Sequence, residues 1–275
     1  MRLIYNTTTQ QLIERIAAQL PHALLIEGID GVGLYTIAEQ LAGNTLTGVI
    51  RPTDIDGTVD VTAKGLIRVT QIRELTEHAN GKSHTTRTYV IDDADTMNQT
   101  AQNAFLKLLE EPIDSIRFIL TSHHTQTLLP TILSRVQRLK VNPIDESQSS
   151  ALLDDLRIMD TQKRSQLLFL AAGRPAALMR LASDDKLFTQ QAELTTDARQ
   201  FIQGSVTERL IIAHRYHGDR AKALALLTQA QAILTRSIHD NPSKSLILLA
   251  DRLTSVYERI RANGNIRLHL VSFVV

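Results

Sequence analysis

Ala23-Leu24-Leu25-Ile26-Glu27-Gly28-Ile29-Asp30-Gly31-Val32-Gly33-Leu34-Tyr35-Thr36 reads as a strand, a glycine-rich turn and the start of a helix that runs on through Leu41. The apolar run has no polar alternation, as expected of a parallel strand covered on both faces. Glycines at 28, 31 and 33 let backbone N–H groups curl around phosphates at a helix N-terminus, which is what a phosphate-binding loop requires. Two of that motif's chemical groups are missing. Leu34 stands where a lysine neutralises the β- and γ-phosphates, and Tyr35 stands where a small hydroxyl ligates magnesium. Thr36 comes one position late, a rotation of about 100° on a helix. Asp30 adds negative charge beside the phosphate position. The glycines serve at least a tight strand-to-helix turn, and ATP turnover by this site alone is not expected.

Working outward, three more segments read as strands, at 88–91, 117–121 and 138–141, with helical patterns between them. A helix is predicted over 70–80, with Ile72, Leu75 and Ala79 at helical spacing. Another is predicted over 99–111, where Ala101, Ala104, Phe105, Leu108 and Leu109 share a face. Asn98 can cap that helix and Pro112 stops it. Residues 43–65, with Gly48, Pro52 and Gly57, read as a variable connection. After Pro143 the strand signals fade. Residues 144–183 read as short helices and 184–275 as nearly all helical, broken near Gly204, Gly218, Asn241-Pro242 and Asn263-Gly264. The expected architecture is an α/β core over 1–143, a small helical unit over 144–183 and an all-α domain over 184–275.

Composition narrows the function. The 275 residues are 43% hydrophobic and 21% charged, ordinary for a globular chain longer than one typical domain. Lysine and arginine total 30 against 29 acids, and aromatic residues are 4% with no tryptophan. That balance argues against a dedicated nucleic-acid binder. With no cysteine, disulfides and thiolate metal sites are excluded. The polar first eleven residues lack the apolar core of a signal peptide, and the longest apolar runs are too short to span a bilayer. A cytoplasmic protein with no membrane partner is expected.

The strand at 88–91 ends in Asp92-Asp93-Ala94-Asp95, the Walker B pattern in which the first acid orients water on magnesium. Asp93 occupies the position of the glutamate that polarises attacking water, with one methylene less reach. Ser122, His123 and His124 lie at an adjacent strand end. No G-x-S-x-G elbow accompanies them, so a Ser/His/Asp hydrolase is disfavoured. Neighbouring histidines diverge and make a poor metal pair.

Gln71-Ile72-Arg73-Glu74-Leu75, Ile91-Asp92-Asp93-Ala94-Asp95, the run from Asn103 to Pro112, and Leu129-Pro130-Thr131-Ile132-Leu133-Ser134-Arg135 occur in this order. With them the sequence resembles the clamp-loader branch of the AAA+ proteins, most closely the delta-prime type of bacterial DNA polymerase III. The resemblance covers about the first half of the chain. It implies an AAA+ core, a helical lid and a helical collar. It also implies that Arg135, in Ser134-Arg135-Val136 where the family has Ser-Arg-Cys, is an arginine finger acting in trans on ATP bound by the neighbouring subunit. Such fingers raise turnover by roughly 10³–10⁵-fold. The lid arginine of active loaders would fall at Ala176, and Arg174 is misplaced. The implied partners are gamma/tau and delta subunits, the sliding clamp and, through the assembled hetero-oligomer, primer-template DNA. No metal is implied for this chain, and ATP and magnesium would sit in the neighbour. Residues 43–65 replace the family's four-cysteine zinc module. A gamma-type subunit or related AAA+ ATPase that binds ATP itself stays open as the alternative.

Overall fold

The structure is a computed structural model that describes residues 4–54, 58, 65–79 and 85–274. It divides into two compact units, Met1–Ser183 and Asp184–Val275.

In the first unit, helix α1 (Thr7–Ala18) precedes strand β1 (Ala23–Glu27), and α2 (Leu34–Ala42) follows the glycine loop. Strand β2 (Leu46–Ile50), helix α3 (Val69–Ala79), strand β3 (Arg87–Ile91), helix α4 (Gln99–Glu110) and strand β4 (Ile116–Ser122) come next. A single turn of helix, α5 (Pro130–Leu133), and strand β5 (Gln137–Lys140) complete the sheet layer. The sheet order is β2-β3-β4-β1-β5 and every pairing is parallel.

Strand periodicity sorts the central residues onto two cores. Leu24 and Ile26 join Val90 and Ile119 in packing against Ile13 and Ile16 of α1 and Ile37 of α2. Leu25 faces the opposite way and joins Ile91, Phe118 and Leu120 against Ile72, Leu75, Phe105 and Leu109 of α3 and α4. Phe105 meets Phe118 edge-on, with ring centroids 5.3 Å apart. The expected α/β core is therefore present, with the near-continuous apolar strands that two-sided burial demands. Asn98 does cap α4, its side chain accepting from the Ala101 N–H at 2.8 Å.

Two elements depart from the sequence reading. Residues 43–65 are not only a connection, because β2 lies within them as the edge strand beside β3. Thr47 and Val49 carry the β-branched signal, but Gly48 and the nearby Pro52 read as breakers. Within that segment 55–57 and 59–64 lie outside the described residues, as does Asn80 at the end of the predicted 70–80 helix. Helix α1 was hidden by Thr7-Thr8-Thr9, poor helix formers, and is started by the Asn6 side chain accepting from the Thr8 N–H at 3.0 Å.

Three helices close the first unit: α6 (Glu146–Asp155), α7 (Thr161–Ala171) and α8 (Pro175–Ser183). The second unit contains α9 (Asp185–Gln203), α10 (Val206–Tyr216), α11 (Arg220–Asp240), α12 (Lys244–Arg261) and α13 (Ile266–Val274). Its core includes Phe201, Leu226, Leu227, Leu253 and Phe273. Asp197 of α9 is buried beside α10. It accepts from the Arg215 guanidinium on both carboxylate oxygens at 2.6 Å and from the Tyr216 hydroxyl at 2.9 Å. Among the described residues, no helix is long and apolar enough to cross a membrane.

Burial, aided by the Asp197 contact, pushes the Tyr216 hydroxyl up to about 12. A folded-state value above the unfolded value of about 10 gives stability that is intact below pH ~10 and lost as pH rises toward ~12. An alkaline ultraviolet titration is expected to show a late step from Tyr216, which Tyr216→Phe removes.

Candidate functional site

A parallel sheet sends the C-terminal ends of all its strands to one edge, where α/β folds bind ligands. Here that edge gathers the glycine loop after β1, Arg51 after β2, Asp92 and Asp93 after β3, and Ser122 and His123 at the end of β4. Each predicted residue of the chain's own site lies on it.

The loop keeps the backbone of a phosphate cradle. Gly31 has φ 86° and Gly33, the N-cap of α2, has φ 94°, the left-handed region that favours glycine. The side chains do something else. Leu34 is buried in the core over α1 and α2, and its Cδ2 comes within 3.2 Å of where a Cβ on Gly28 would stand. On the outer side, α8 closes on the loop. The Ala177 N–H donates to the Gly31 carbonyl at 3.0 Å, and a Cβ on Gly31 would lie 2.7 Å from the Ala177 Cβ. Ala176 packs against the same core. The Arg174 guanidinium turns back onto the carbonyls of Ala171 and Leu170 at 2.8 and 2.9 Å.

Asp92 is held by two groups. The Thr121 hydroxyl donates to it at 2.8 Å, and the Arg51 Nε approaches its other oxygen at 3.3 Å. The same guanidinium lies 4.3 Å from the centre of the Tyr35 ring. Tyr35 and Asp92, the positions of the metal-ligating hydroxyl and acid, are thus joined by an arginine. The sequence reading missed Arg51 because it missed β2. In the β2–β3 register Ile50 pairs with Ile91, so the next residue on each strand brings Arg51 to Asp92.

Asp93 has φ 54°. Burial, then the charge of Asp92, raises its carboxyl above the ordinary value, and His123 opposes the shift. The His123 Nδ1 lies 2.8 Å from the Gly28 carbonyl, which can only accept, so Nδ1 carries a proton. Nε2 faces Asp93 at 3.4 Å. His123 therefore straps the loop to the acid turn. Ser122 is fully buried and its Oγ makes no hydrogen bond, so no serine–histidine pair forms.

These residues do not fit a magnesium–nucleotide group. The lysine position is apolar and buried, the hydroxyl position is an aromatic ring under a guanidinium, and the acid already faces a cation.

Arg135 and Ser134 stand apart, just after α5, and both are exposed. Buried Gln102 of α4 fixes that segment by donating to the Met97 and Thr127 carbonyls at 3.0 and 3.1 Å and accepting from the Leu129 N–H at 2.7 Å. The Arg135 guanidinium donates to the Thr131 carbonyl at 3.1 Å and pairs with Glu110 at 3.0 Å. The Ser134 hydroxyl donates to the Thr131 carbonyl at 3.0 Å.

The family model described as DNA polymerase III, delta subunit, matches residues 49–145. The chain is 29% identical over 212 residues to DNA polymerase III subunit delta′ of Bacillus subtilis, covering 70% of this chain and 61% of that protein. It is 30% identical over 191 residues to the delta′ subunit of Pseudomonas aeruginosa, covering 60% and 56%. It is also 31% identical over 149 residues to the tau/gamma subunit of Haemophilus influenzae, covering 48% of this chain and 22% of that protein. The chain thus spans 22% to 61% of the length of these relatives. In fold it resembles a DNA polymerase III gamma subunit-related protein of Thermotoga maritima, with a TM-score of 0.55 at 20% identity and 97% of each chain covered.

Because Leu34 is core, replacing it with the missing lysine is expected to destabilise the chain rather than restore a nucleotide site. Leu34→Lys should cost at least about 2 kcal/mol in urea unfolding, against less than about 1.5 kcal/mol for Leu34→Met. ATP should leave the midpoint of Leu34→Lys unmoved.

Proposed function

We infer that this chain, which belongs to the DNA polymerase III clamp-loader family, is a subunit of the delta-prime type. In this reading it does not turn over ATP. It supplies Arg135 in trans to nucleotide bound by a gamma-type neighbour, and so helps load a sliding clamp onto primed DNA. Residues 144–183 correspond to the lid and 184–275 to the collar of a cytoplasmic hetero-oligomer.

The observation that carries this reading is an asymmetry. The groups that would serve the chain's own nucleotide are absent or engaged, whereas Arg135 is presented at the surface. A guanidinium offers planar, permanently charged donors that match phosphate geometry. Its pairing with Glu110 is an exposed ion pair, of a kind worth about 0–1 kcal/mol, so a neighbour's phosphate can take it over at little cost. Gln102 anchors Thr127 and Leu129, at the start of the turn that leads to Arg135, which limits where the finger can reach.

The similarity to tau and gamma subunits favours a second reading, an ATP-binding gamma-type subunit. Equilibrium ATP binding by the purified chain separates the two, since saturable micromolar binding supports the second.

The trans role is tested by reconstituting the chain with gamma-type, delta-type and clamp subunits. Arg135→Ala should reduce DNA-stimulated ATPase at the completed site by roughly 10³-fold or more if the finger acts as such groups do elsewhere. Arg135→Lys should recover only part of it, because a point charge lacks the planar fork. The stability of the isolated chain should move by less than about 0.5 kcal/mol, as for other surface positions. Unchanged ATPase in Arg135→Ala would exclude the finger.

A further inference from the structure

We propose that Arg51 is a built-in replacement for the divalent cation of the chain's own site, its guanidinium bridging Tyr35 and Asp92 and closing that site to metal. This deepens the reading of the site as inert and rests on it, but it does not depend on the trans role of Arg135.

The charge around Asp92 calls for compensation. Asp92, Asp93 and Asp95 lie within four residues, and Asp30 on the glycine loop adds to the field felt by Asp93. In a site that holds magnesium, the ion neutralises such acids. Here the His123 ring faces Asp93 and the guanidinium faces Asp92. The Asp92 side chain is only 17% exposed, so its negative charge is poorly served by water alone.

Arg51 is built into its place. Its backbone carbonyl accepts from the Gln71 side chain at 2.9 Å. The Asp92 N–H donates to the Ile50 carbonyl at 2.9 Å, so the ladder continues to the residue just before Arg51. The guanidinium then has an aromatic face on one side and a carboxylate on the other, two partners that each attract a cation. Tyr35 in place of a small hydroxyl thus has a positive use: a ring makes a platform for a cation where a serine or threonine would ligate one. The ring of Tyr35 and the guanidinium of Arg51 thus act as one unit in the place of a hydroxyl and its cation. The guanidinium is permanent, whereas a metal comes and goes with nucleotide.

The experiment is a thermal-unfolding cycle on the full chain: wild type, Arg51→Ala, Asp92→Asn and the double variant, each with and without MgCl2. Wild type is expected to be indifferent to 5 mM Mg²⁺, about five times the ~1 mM Kd of a weak carboxylate site, beyond the effect of NaCl at equal ionic strength. Arg51→Ala should unfold several degrees lower and regain about 2–4 °C on adding Mg²⁺. The double variant should recover stability and lose the Mg²⁺ response, because position 92 no longer carries the charge that Arg51 faces. If Arg51→Ala is too unstable to purify, restoration of a folded protein by adding Asp92→Asn supports the same inference, and failure to restore it counts against it.

Additive losses from Arg51→Ala and Asp92→Asn, or an Arg51→Ala protein as unresponsive to Mg²⁺ as wild type, would overturn the role of Arg51 and leave the inert site standing. A wild-type midpoint that rises with Mg²⁺ and ATP together would instead overturn the inert site itself, and this inference with it.

Discussion

The burial of β1 on both faces constrains everything else in the first unit. Leu24, Leu25 and Ile26 are wholly buried, held between β4 and β5 by parallel ladders. A strand with no solvent face must have a layer of helices on each side, so the chain has to cross over between successive strands. Those crossovers bring every strand end of one kind to one edge. The glycine loop, the acids after β3 and the histidine after β4 meet there because Leu24 and Ile26 pack one way and Leu25 the other.

Convergence has an electrostatic consequence. The same edge collects several aspartates, and a protein interior tolerates such a group only when counter-charge is fixed nearby. Asp93 responds by holding its proton more tightly, and His123 ties the acid turn to the Gly28 carbonyl. Asp92 responds through Thr121 and Arg51. These partners come from the end of β4 (Thr121 and His123) and the end of β2 (Arg51), and only the assembled sheet brings them to the acids after β3.

That dependence explains what could be read from sequence and what could not. The loop, the acid pattern and helix α4 are local, and their residues carry turn, strand or helical periodicity that survives without a fold. The motif ending in Ser134-Arg135 is local in sequence as well, and the structure leaves both residues exposed. Arg51 was not legible, since its partner is 41 residues away and the strand delivering it is five residues long with a central glycine. An edge strand has one neighbour and partial burial, so it lacks the dense apolar signature of β1. The closing of α8 on Gly31 was equally invisible. It depends on Ala177 being small where two segments far apart in sequence touch.

Two arginines with the same chemistry and nearly the same side-chain exposure, 39% and 38%, therefore differ in what holds them. Arg51 has its carbonyl fixed by Gln71, its guanidinium against the Tyr35 ring, and a partly buried carboxylate partner. Displacing it would expose an acid inside an acidic cluster. Arg135 is held by its own turn and by Glu110, whose side chain is half exposed. Water replaces that partner readily, and nothing nearby is left with unbalanced buried charge when the guanidinium turns away. An arginine that must meet another molecule has to be one its own fold can release. By that criterion Arg135 is the more readily released of the two.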